Sequence, residues 1–521
     1  MAKVSKGESR LISLFSTLQD ELSCLSASCP KRQFAIDRLL VRMRKRANIR
    51  RPDLKAKSYA DFIMNNLEVS TRPITLSAFD VANAKLFITI ALERFTKSEE
   101  PDSIQESLSG SLLFDRWRFG PGASNGVTGT HTAQKIRQKM TCTAHSVPLV
   151  SLLRMSNPYF QCFDALNGGG IVEVSGSRLE SIPKNEEAWR TIAIEPSGNM
   201  VLQLAAGRYL EDTLRYIGLD ITSQQDKNKH LACVASIDDS LATIDMKSAS
   251  DMIGLDLVRL LLPARWYELI AKIRSPKVSI EGSEHDLYMV STMGNGFTFP
   301  LMTLILVALI YAYRCNNGGP SLFIDWSSTA VFGDDVIVPS KEYAGVCEMF
   351  KSAGFVINYD KSFSSGPFRE SCGGDFYEGY NVTPPYVRSL LTDPEVYVAI
   401  NQLVQWSVTH NVYLPKSLVY LRGLLRRGPY LVPEWCNPDS GVLTSQCKYR
   451  YKFLRPDHEY LEVSNDDPFL MMLACGNYVG SLDLGASFVP RTKRLRYKAK
   501  GARVPRGFLD GSYPSYRTAS Q

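Results

Sequence analysis

Phe332-Gly333-Asp334-Asp335 puts two adjacent carboxylates at a Gly-Asp turn. Ser328 to Val331 precede it and Val336 to Val338 follow it, and both flanks are β-branched or apolar. That pattern predicts two strands joined by a tight hairpin, with Gly333 supplying the positive φ the turn needs. Adjacent acids repel, which raises a carboxyl pKa. A divalent cation relieves the repulsion, and Mg²⁺ suits hard oxygen ligands, binding through one or two carboxylates plus substrate phosphates. By themselves the four residues fit a solvated turn equally well, because Asp and Gly are common in turns. A third acid shifts the balance. Leu241 to Asp245 reads as a short buried strand ending on a carboxylate; Asp251 follows six residues later, and Asp334 lies 89 residues beyond Asp245. One Asp plus an Asp-Asp hairpin is the carboxylate set of two-metal phosphoryl transfer. One ion activates an attacking hydroxyl and the other stabilises the leaving pyrophosphate.

Other residues could serve the same chemistry. Lys184 and Arg190, in Pro183-Lys-Asn-Glu-Glu-Ala-Trp-Arg190, supply two cations in a short span, which triphosphate chemistry needs as charge builds on the leaving group. Exposed surface charges would look the same. Between the acids lies Ser291-Thr-Met-Gly-Asn-Gly-Phe-Thr298. Gly294 and Gly296 permit close backbone approach, and Asn295 and Thr298 offer hydrogen bonds. Such a loop can hold a template base or a ribose, or simply turn the chain into a core helix. Lys361, after Asn358-Tyr-Asp360, is placed to donate a proton to a leaving phosphate, although a lone lysine is usually just solvated.

The elements around these residues predict an α+β protein. Residues 1 to about 110 read as largely helical, with apolar positions at helical spacing in Phe62 to Leu67 and Ala84 to Arg94. Ser98 to Ser109 is polar and reads as a loop. Residues 111 to 240 read as Gly-rich and irregular, with a stiff turn at Trp117 to Asn125 and a break at Gly168 to Gly170. After the strand to Asp245, an amphipathic helix is expected from about Ser250 to Leu262, stopped by Pro263. A helix over Tyr343 to Ala353 ends at Gly354, and Phe355 to Tyr359 forms the next strand. Helices return at Val396 to Val408 and Ser417 to Arg426. Strand, helix, hairpin, helix and strand in the middle imply a sheet layered with helices.

The chain has 521 residues, 44% of them hydrophobic, so a sizeable core is available. Its net charge of +7 is unevenly spread. Arg38, Arg42, Arg44, Lys45, Arg46, Arg50 and Arg51 crowd the segment Lys31 to Lys57, and Arg491 to Arg506 is a second such stretch. Two such clusters favour a polyanionic partner. The eleven cysteines form no CxxC pair and the six histidines complete no zinc spacing, which fits a reduced cytoplasmic compartment. The N-terminal residues lack the apolar core of a signal peptide. Phe297 to Tyr313 is almost wholly apolar, but it is short of the ~20 residues that span a bilayer. It reads as a buried core helix, with no membrane partner.

Taken in order, these pieces resemble the palm of RNA-dependent RNA polymerases. Asp245 with Asp251 is similar to motif A, Ser291 to Thr298 with its helix to motif B, and Gly333-Asp-Asp335 to motif C. Gly354 to Lys361 is similar to motif D, and Lys184 with Arg190 to motif F. Pro183-Lys-Asn185, Ile194-Glu-Pro196, Ser291 to Phe299 and Gly366-Pro-Phe-Arg-Glu-Ser-Cys-Gly373 further resemble the replicase β subunit of levivirus-type positive-strand RNA bacteriophages. The resemblance is strong from about 180 to 390 and weaker towards both ends.

It implies a right hand of fingers, palm and thumb, the palm an antiparallel sheet flanked by helices. Residues 1-110 would be a basic helical region joining the fingers, 111-240 the fingers, 241-390 the palm, and 391-521 the thumb and a basic tail. It implies two Mg²⁺ ions, replaceable by Mn²⁺, on Asp245, Asp334 and Asp335. Lys184 and Arg190 would face the triphosphate, Asp251 the ribose 2′-hydroxyl, and Lys361 would act as general acid. The implied partners are single-stranded RNA template and product, ribonucleoside triphosphates, host elongation factors Tu and Ts, and in some members a ribosomal small-subunit protein. The implied location is the cytoplasm of a bacterial host. Two positions depart from the wider pattern. Met302 stands where many viral polymerases carry an Asn on the motif B helix, leaving Asn295 as the substitute, and Phe332 replaces the commoner Tyr.

Two other readings compete. A reverse transcriptase also carries paired aspartates on a hairpin, but it excludes the 2′-hydroxyl with an aromatic near the first acid. Here Lys247 to Ser250 are small or polar. A non-catalytic RNA-binding protein would use both basic clusters, yet it gives no reason for the three aspartates to occur in this order.

Overall fold

The computed structural model describes residues 6–23, 29–47, 53–93, 116–130, 132–136, 138–157, 160–161, 170–184, 188–318, 324–426, 428–434 and 436–444, plus four two-residue strand segments further on. The loop expected over Ser98 to Ser109 and nearly all of the basic stretch Arg491 to Arg506 lie outside these residues.

The centre is a three-stranded antiparallel sheet with Asp335–Pro339 in the middle, flanked by Leu241–Ile244 and Ala330–Phe332. Val331, Val336, Ile337 and Val338 are fully buried, as near-continuous apolar runs require of a sheet covered on both faces. One face carries Thr298–Asn316, whose residues from Pro300 to Ala312 are all buried. It is long and apolar enough to cross a membrane, yet 78% of its apolar window is buried inside the protein. It is the core helix the sequence predicts. The helix Ile221–Asp238 packs on the same sheet and on the hairpin Phe368–Ser371 with Gly374–Tyr377.

A second, four-stranded sheet orders Trp189–Ile194, Ser177–Pro183, Lys277–Ile280 and Ser283–Asp286. The helix Asp53–Thr71 lies against it, and also against the segment Ala249–Met252. The first two helices, Lys6–Leu22 and Pro30–Ala47, instead share a core with residues 382–442, where Leu14, Leu18 and Leu39 meet Ile400, Leu403 and Leu421. The N-terminal region is therefore divided between two parts of the molecule.

Three expectations need correction. Residues 111 to 240 are not irregular throughout: Ser197–Tyr216 and Ile221–Asp238 are long helices. The first contains Gly207, where a Cβ would lie 2.3 Å from the Gly296 carbonyl oxygen. That glycine lowers helix propensity in order to admit a neighbouring backbone. The helix expected from Ser250 is a short 3₁₀ turn, Ala249–Met252, and then Leu255–Leu261, with Ile253 extended between them. The strand at Phe355 to Tyr359 keeps only Val356–Ile357, paired with Met246–Lys247.

The first basic cluster is also partly structural. Lys31 and Arg32 donate to the carbonyls of Glu378 and His410, and Arg38 pairs with Asp375 and Glu370. Arg42 and Arg44 stay exposed.

Candidate active site

The acidic hairpin forms as its residues dictate. Phe332 pairs with Asp335, so Gly333 and Asp334 are the two loop residues. Gly333 has φ +61° and Asp334 has no positive φ, the pattern of a type II′ turn. The turn is fastened to the buried helix. Gly333 N–H donates to Thr303 Oγ1 at 3.1 Å, and the rings of Phe332 and Phe299 meet edge-on at 4.6 Å.

Val336 lies opposite Ile244, so the same register carries Asp335 opposite Asp245, one residue past the paired strand. Asp245 is held from the other side. Its N–H donates to Ser362 Oγ at 3.0 Å, and its Oδ2 accepts from Asn358 Nδ2 at 2.6 Å. Burial pushes the Asp245 carboxyl up to about 6. The Asn358 hydrogen bond and the Lys361 charge oppose that rise, and Asp334 and Asp335 add to it. Asp335 is raised too, chiefly by burial, against a hydrogen bond from the backbone of Cys372.

That bond runs from Cys372 N–H to Asp335 Oδ1 at 2.9 Å. It comes from the turn of the next hairpin, where Cys372 and Gly373 have φ +50° and +72°. Two positive values in a two-residue loop make a type I′ turn, which aims the amide at the acid. The Cys372 thiol is pushed up to about 12 by burial and the neighbouring Asp335, so it stays neutral. Asn228 Nδ2, from the helix behind, donates to the Asp335 carbonyl at 3.3 Å.

The predicted cations come from two elements. Lys184 and Arg190 stand on the hairpin of Ser177–Pro183 and Trp189–Ile194, where Ile182 pairs with Arg190. Lys184 is exposed along its chain, but partial burial of its ammonium lowers its pKa. Arg190 and Lys361 lower it further, while Asp245 and Asp334 raise it. Lys184, Arg190, Lys361 and the acids therefore share one electrostatic neighbourhood. Lys361 lies in the 3₁₀ turn Tyr359–Lys361, 4.0 Å from Glu370.

The loop residues have internal roles. A Cβ on Gly294 would lie 2.1 Å from the Ala193 carbonyl oxygen, and one on Gly296 would lie 2.8 Å from Leu204 N. The close approach these glycines permit is to the chain itself. Thr298 Oγ1 donates to the Thr292 carbonyl at 2.9 Å. Asn295 is turned back on its own loop, its Oδ1 accepting from Thr292 N–H at 3.2 Å and from the Thr292 hydroxyl. These contacts shape the turn into the core helix.

Asp251 is half-buried, and burial pushes its carboxyl up to about 6. Its Oδ2 accepts from Asn65 Nδ2 at 3.3 Å and its Oδ1 from Ser250 Oγ at 3.2 Å. Asn65, Asn228, Asn358, Ser362 and the Cys372 amide are site residues that the sequence does not single out. Only Cys372 had a local signal, because a residue before Gly between alternating stretches marks a two-residue hairpin. The others reach the acids through tertiary contacts.

Among the described residues, no three of His, Cys, Asp and Glu are gathered tightly enough to form a ready-made metal site. The donors facing one another are carboxylates, the type that suits hard cations. Mg²⁺ in particular completes its shell with water and substrate phosphates rather than in an all-protein cage.

The profile described as RNA replicase, beta-chain, matches residues 54–463. The chain is 37% identical over 320 residues to the RNA-directed RNA polymerase subunit beta of Escherichia virus Qbeta, covering 61% of this chain and 52% of that one. It is 33% identical over 334 residues to the RNA-directed RNA polymerase beta chain of Escherichia phage MS2, covering 61% and 60%. The matched part thus spans little more than half the length of these relatives. Among solved structures, the RNA-dependent RNA polymerase of a human picorbirnavirus aligns at 11% identity and TM-score 0.47, over 82% of this chain and 85% of that one. With a family profile spanning most of its length, the chain belongs to the RNA replicase β-chain family.

Proposed function

We propose that the chain performs template-directed RNA synthesis, joining ribonucleoside triphosphates on a single-stranded RNA template as an RNA-directed RNA polymerase. The observation that carries this reading is the register placing Asp335 opposite Asp245, with Lys184 and Lys361 in the same electrostatic neighbourhood. A floor of acids and a rim of cations is what a metal-assisted attack on a triphosphate needs.

In this reading Asp245, Asp334 and Asp335 would hold Mg²⁺, with Mn²⁺ able to substitute. The bound ions would activate the 3′-hydroxyl and offset charge on the leaving pyrophosphate. The protein's own residues do the positioning. Asn358 and the Cys372 amide fix the orientation of Asp245 and Asp335. Lys184 and Arg190 bind the triphosphate oxygens. Lys361 Nζ gives a proton to the departing pyrophosphate. Asp251 accepts from the ribose 2′-hydroxyl, which favours ribonucleotides over the deoxynucleotides a reverse transcriptase would use.

The same reading makes residues 241-390 the palm, the hairpin with Lys184 and Arg190 part of the fingers, and the helices from 391 the thumb. The helices Lys6–Leu22 and Pro30–Ala47 join the thumb by their packing. By family resemblance the chain would work in the bacterial cytoplasm with elongation factors Tu and Ts, joined in some members by a ribosomal small-subunit protein. Mass spectrometry of proteins that copurify with it from infected cells tests that assembly.

The decisive experiment measures Mg²⁺-dependent nucleotide incorporation by the wild type and by Asp334→Asn. Incorporation of rNTPs in preference to dNTPs, lost in the variant while RNA binding persists, is expected. A wild type that binds RNA but incorporates nothing would instead mark a binding protein.

A further inference from the structure

Asn65 and Asn66 are neighbours on the helix Asp53–Thr71. Asn66 docks the helix: its Nδ2 donates to the Asp286 carbonyl at 2.8 Å, and its Oδ1 accepts from Tyr288 N–H at 2.8 Å. Further along, Arg72 donates to Met252 Sδ at 3.2 Å and to the Gly354 carbonyl. On the other side, Ser58 Oγ meets Ser181 Oγ at 2.5 Å, and between Ser58 and Asn66, Asn65 Nδ2 donates to Asp251 Oδ2 at 3.3 Å. The helix is therefore fixed on both sides of the contact, and the amide is presented to the carboxylate by a rigid element.

Among the described residues, neither Met302, in the place of the usual Asn, nor the substitute Asn295 donates to Asp251. Met302 is buried in the main core at 5% exposure, and a thioether is no strong donor. Asn295 has its carbonyl oxygen tied to Thr292. Among the described residues, the side-chain donors on Asp251 are Asn65 and Ser250. No ion pair within 4.0 Å closes on it among them. A carboxylate held by two neutral donors keeps its charge and its remaining lone pairs for a third.

We propose that Asn65 sets ribose selectivity as a positioning residue: it holds the Asp251 carboxylate in the orientation that accepts a hydrogen bond from the 2′-hydroxyl of the incoming ribonucleotide. The inference rests on Asp251 being the ribose contact. A site built to pair a substrate hydroxyl discriminates strongly against the analogue lacking it, because a buried polar group is then left unpaired. Discrimination of that kind depends on the acceptor being fixed. Released from Asn65, Asp251 can turn to other donors or to water when the 2′-hydroxyl is missing, and the penalty against dNTPs shrinks.

The test measures kcat/KM for one rNTP and the matching dNTP, with the full chain on a primed RNA template, for wild type, Asn65→Ala, Asn65→Leu and Asp251→Asn. Melting temperature is recorded for each. The rNTP/dNTP ratio should fall about tenfold in both Asn65 variants, the loss expected for one hydrogen bond to a charged group, and at least as far in Asp251→Asn. A fall in Asp251→Asn with an unchanged ratio in the Asn65 variants would overturn the role of Asn65 and leave the ribose contact standing. Unchanged ratios in all three would remove the ribose contact and the proposal with it. Equal losses of rNTP and dNTP rates in the Asn65 variants, with lowered melting temperature, would assign Asn65 to folding only and overturn the proposal. Asn65 is half-buried rather than in the core, and leucine retains its bulk, so at least one of the two variants is expected to fold.

Discussion

Replacing Gly333 by alanine tests whether the acidic turn is rigid in the way the structure implies. Two penalties combine. Gly333 has φ +61°, a region that costs an L-residue about 1–2 kcal/mol. The new Cβ would lie 2.5 Å from Phe299 Cε2, where ordinary contact begins at 3.4 Å. Something must therefore move by roughly 0.9 Å, and overpacking of that kind costs about 1–3 kcal/mol. Phe299 cannot swing away freely, because its ring packs on Phe332 at 4.6 Å. The turn is also pinned by the hydrogen bond from Gly333 N–H to Thr303. The sum is a loss of about 2–5 kcal/mol, a large share of the roughly 5–15 kcal/mol typical of a folded protein. Gly366→Ala is the matched control: its φ is +84° and nothing lies within 4 Å of the point a Cβ would occupy, so it reports the backbone penalty alone. Urea unfolding of both variants separates the two contributions. RNA synthesis should fall about a hundredfold in Gly333→Ala even where it stays folded, because a shift near 1 Å in a reacting group can cost that much. Equal stability losses in the two variants, with wild-type synthesis by Gly333→Ala, would refute the reasoning.

Other perturbations probe separate links. Asp245→Asn and Asp335→Asn should each lower RNA synthesis by at least about a hundredfold while a filter-binding assay still detects RNA; normal synthesis by either would remove it from the metal set. Arg42 and Arg44 are exposed on the helix Pro30–Ala47, so alanine at both should reduce the slope of log K against log salt for single-stranded RNA binding by roughly 1.4. An unchanged slope would place them away from phosphate. Glu195 is fully buried, and burial pushes its carboxyl up to about 7 against hydrogen bonds from Ser275 and Gln203 and the charge of Arg274. Because the folded state raises this acid's pKa, its contribution to stability is present at low pH and is lost as pH rises from about 4.5 through about 7. Unfolding curves at pH 5 and pH 8 should therefore show wild type losing up to about 3 kcal/mol relative to Glu195→Gln; parallel behaviour would mean that Glu195 does not titrate in this range.

The part of the site that could be read from the sequence is the part made by local rules. The hairpin was legible because Gly-Asp between β-branched stretches admits few other structures, and the helix Thr298–Asn316 because an apolar run of that length must be buried. Asp245 was legible as a strand end. The long helices at 197–238 were not, because their glycines and polar residues answer to neighbours rather than to helical propensity. Gly207 faces the Gly296 carbonyl, and Asn228 is buried against Asp335 and Ser371. Asn65 lies 186 positions before the carboxylate it touches, and no periodicity links the two. The loop glycines were legible as sites of close approach, but the approaching partner was the protein's own backbone.

The charges in this site are arranged by depth, and that arrangement argues for a ligand that carries both signs. Burial raises Asp245 and Asp335, while Lys184, Arg190 and Lys361 stand on exposed positions above them. Direct pairing of the two sets would have satisfied both, and among the described residues no ion pair within 4.0 Å joins any of these acids to a cation. Buried carboxylates left unneutralised carry a desolvation cost. The protein instead restrains them with neutral donors, Asn358 on one acid and the Cys372 amide on the other. Such donors orient a carboxylate without cancelling its charge. On the proposed function a metal-bound triphosphate would satisfy both layers at once, the buried acids holding the cation and the exposed lysines and arginine the phosphate oxygens. If that is why the layers are kept apart, then placing a fixed cation among the acids should compete with the metal. Asn358→Lys sets an ammonium beside Asp245, and the Mg²⁺ concentration giving half-maximal synthesis should rise several-fold. Half-saturation at the wild-type Mg²⁺ concentration, in a variant that remains folded, would show that Asp245 does not face the metal.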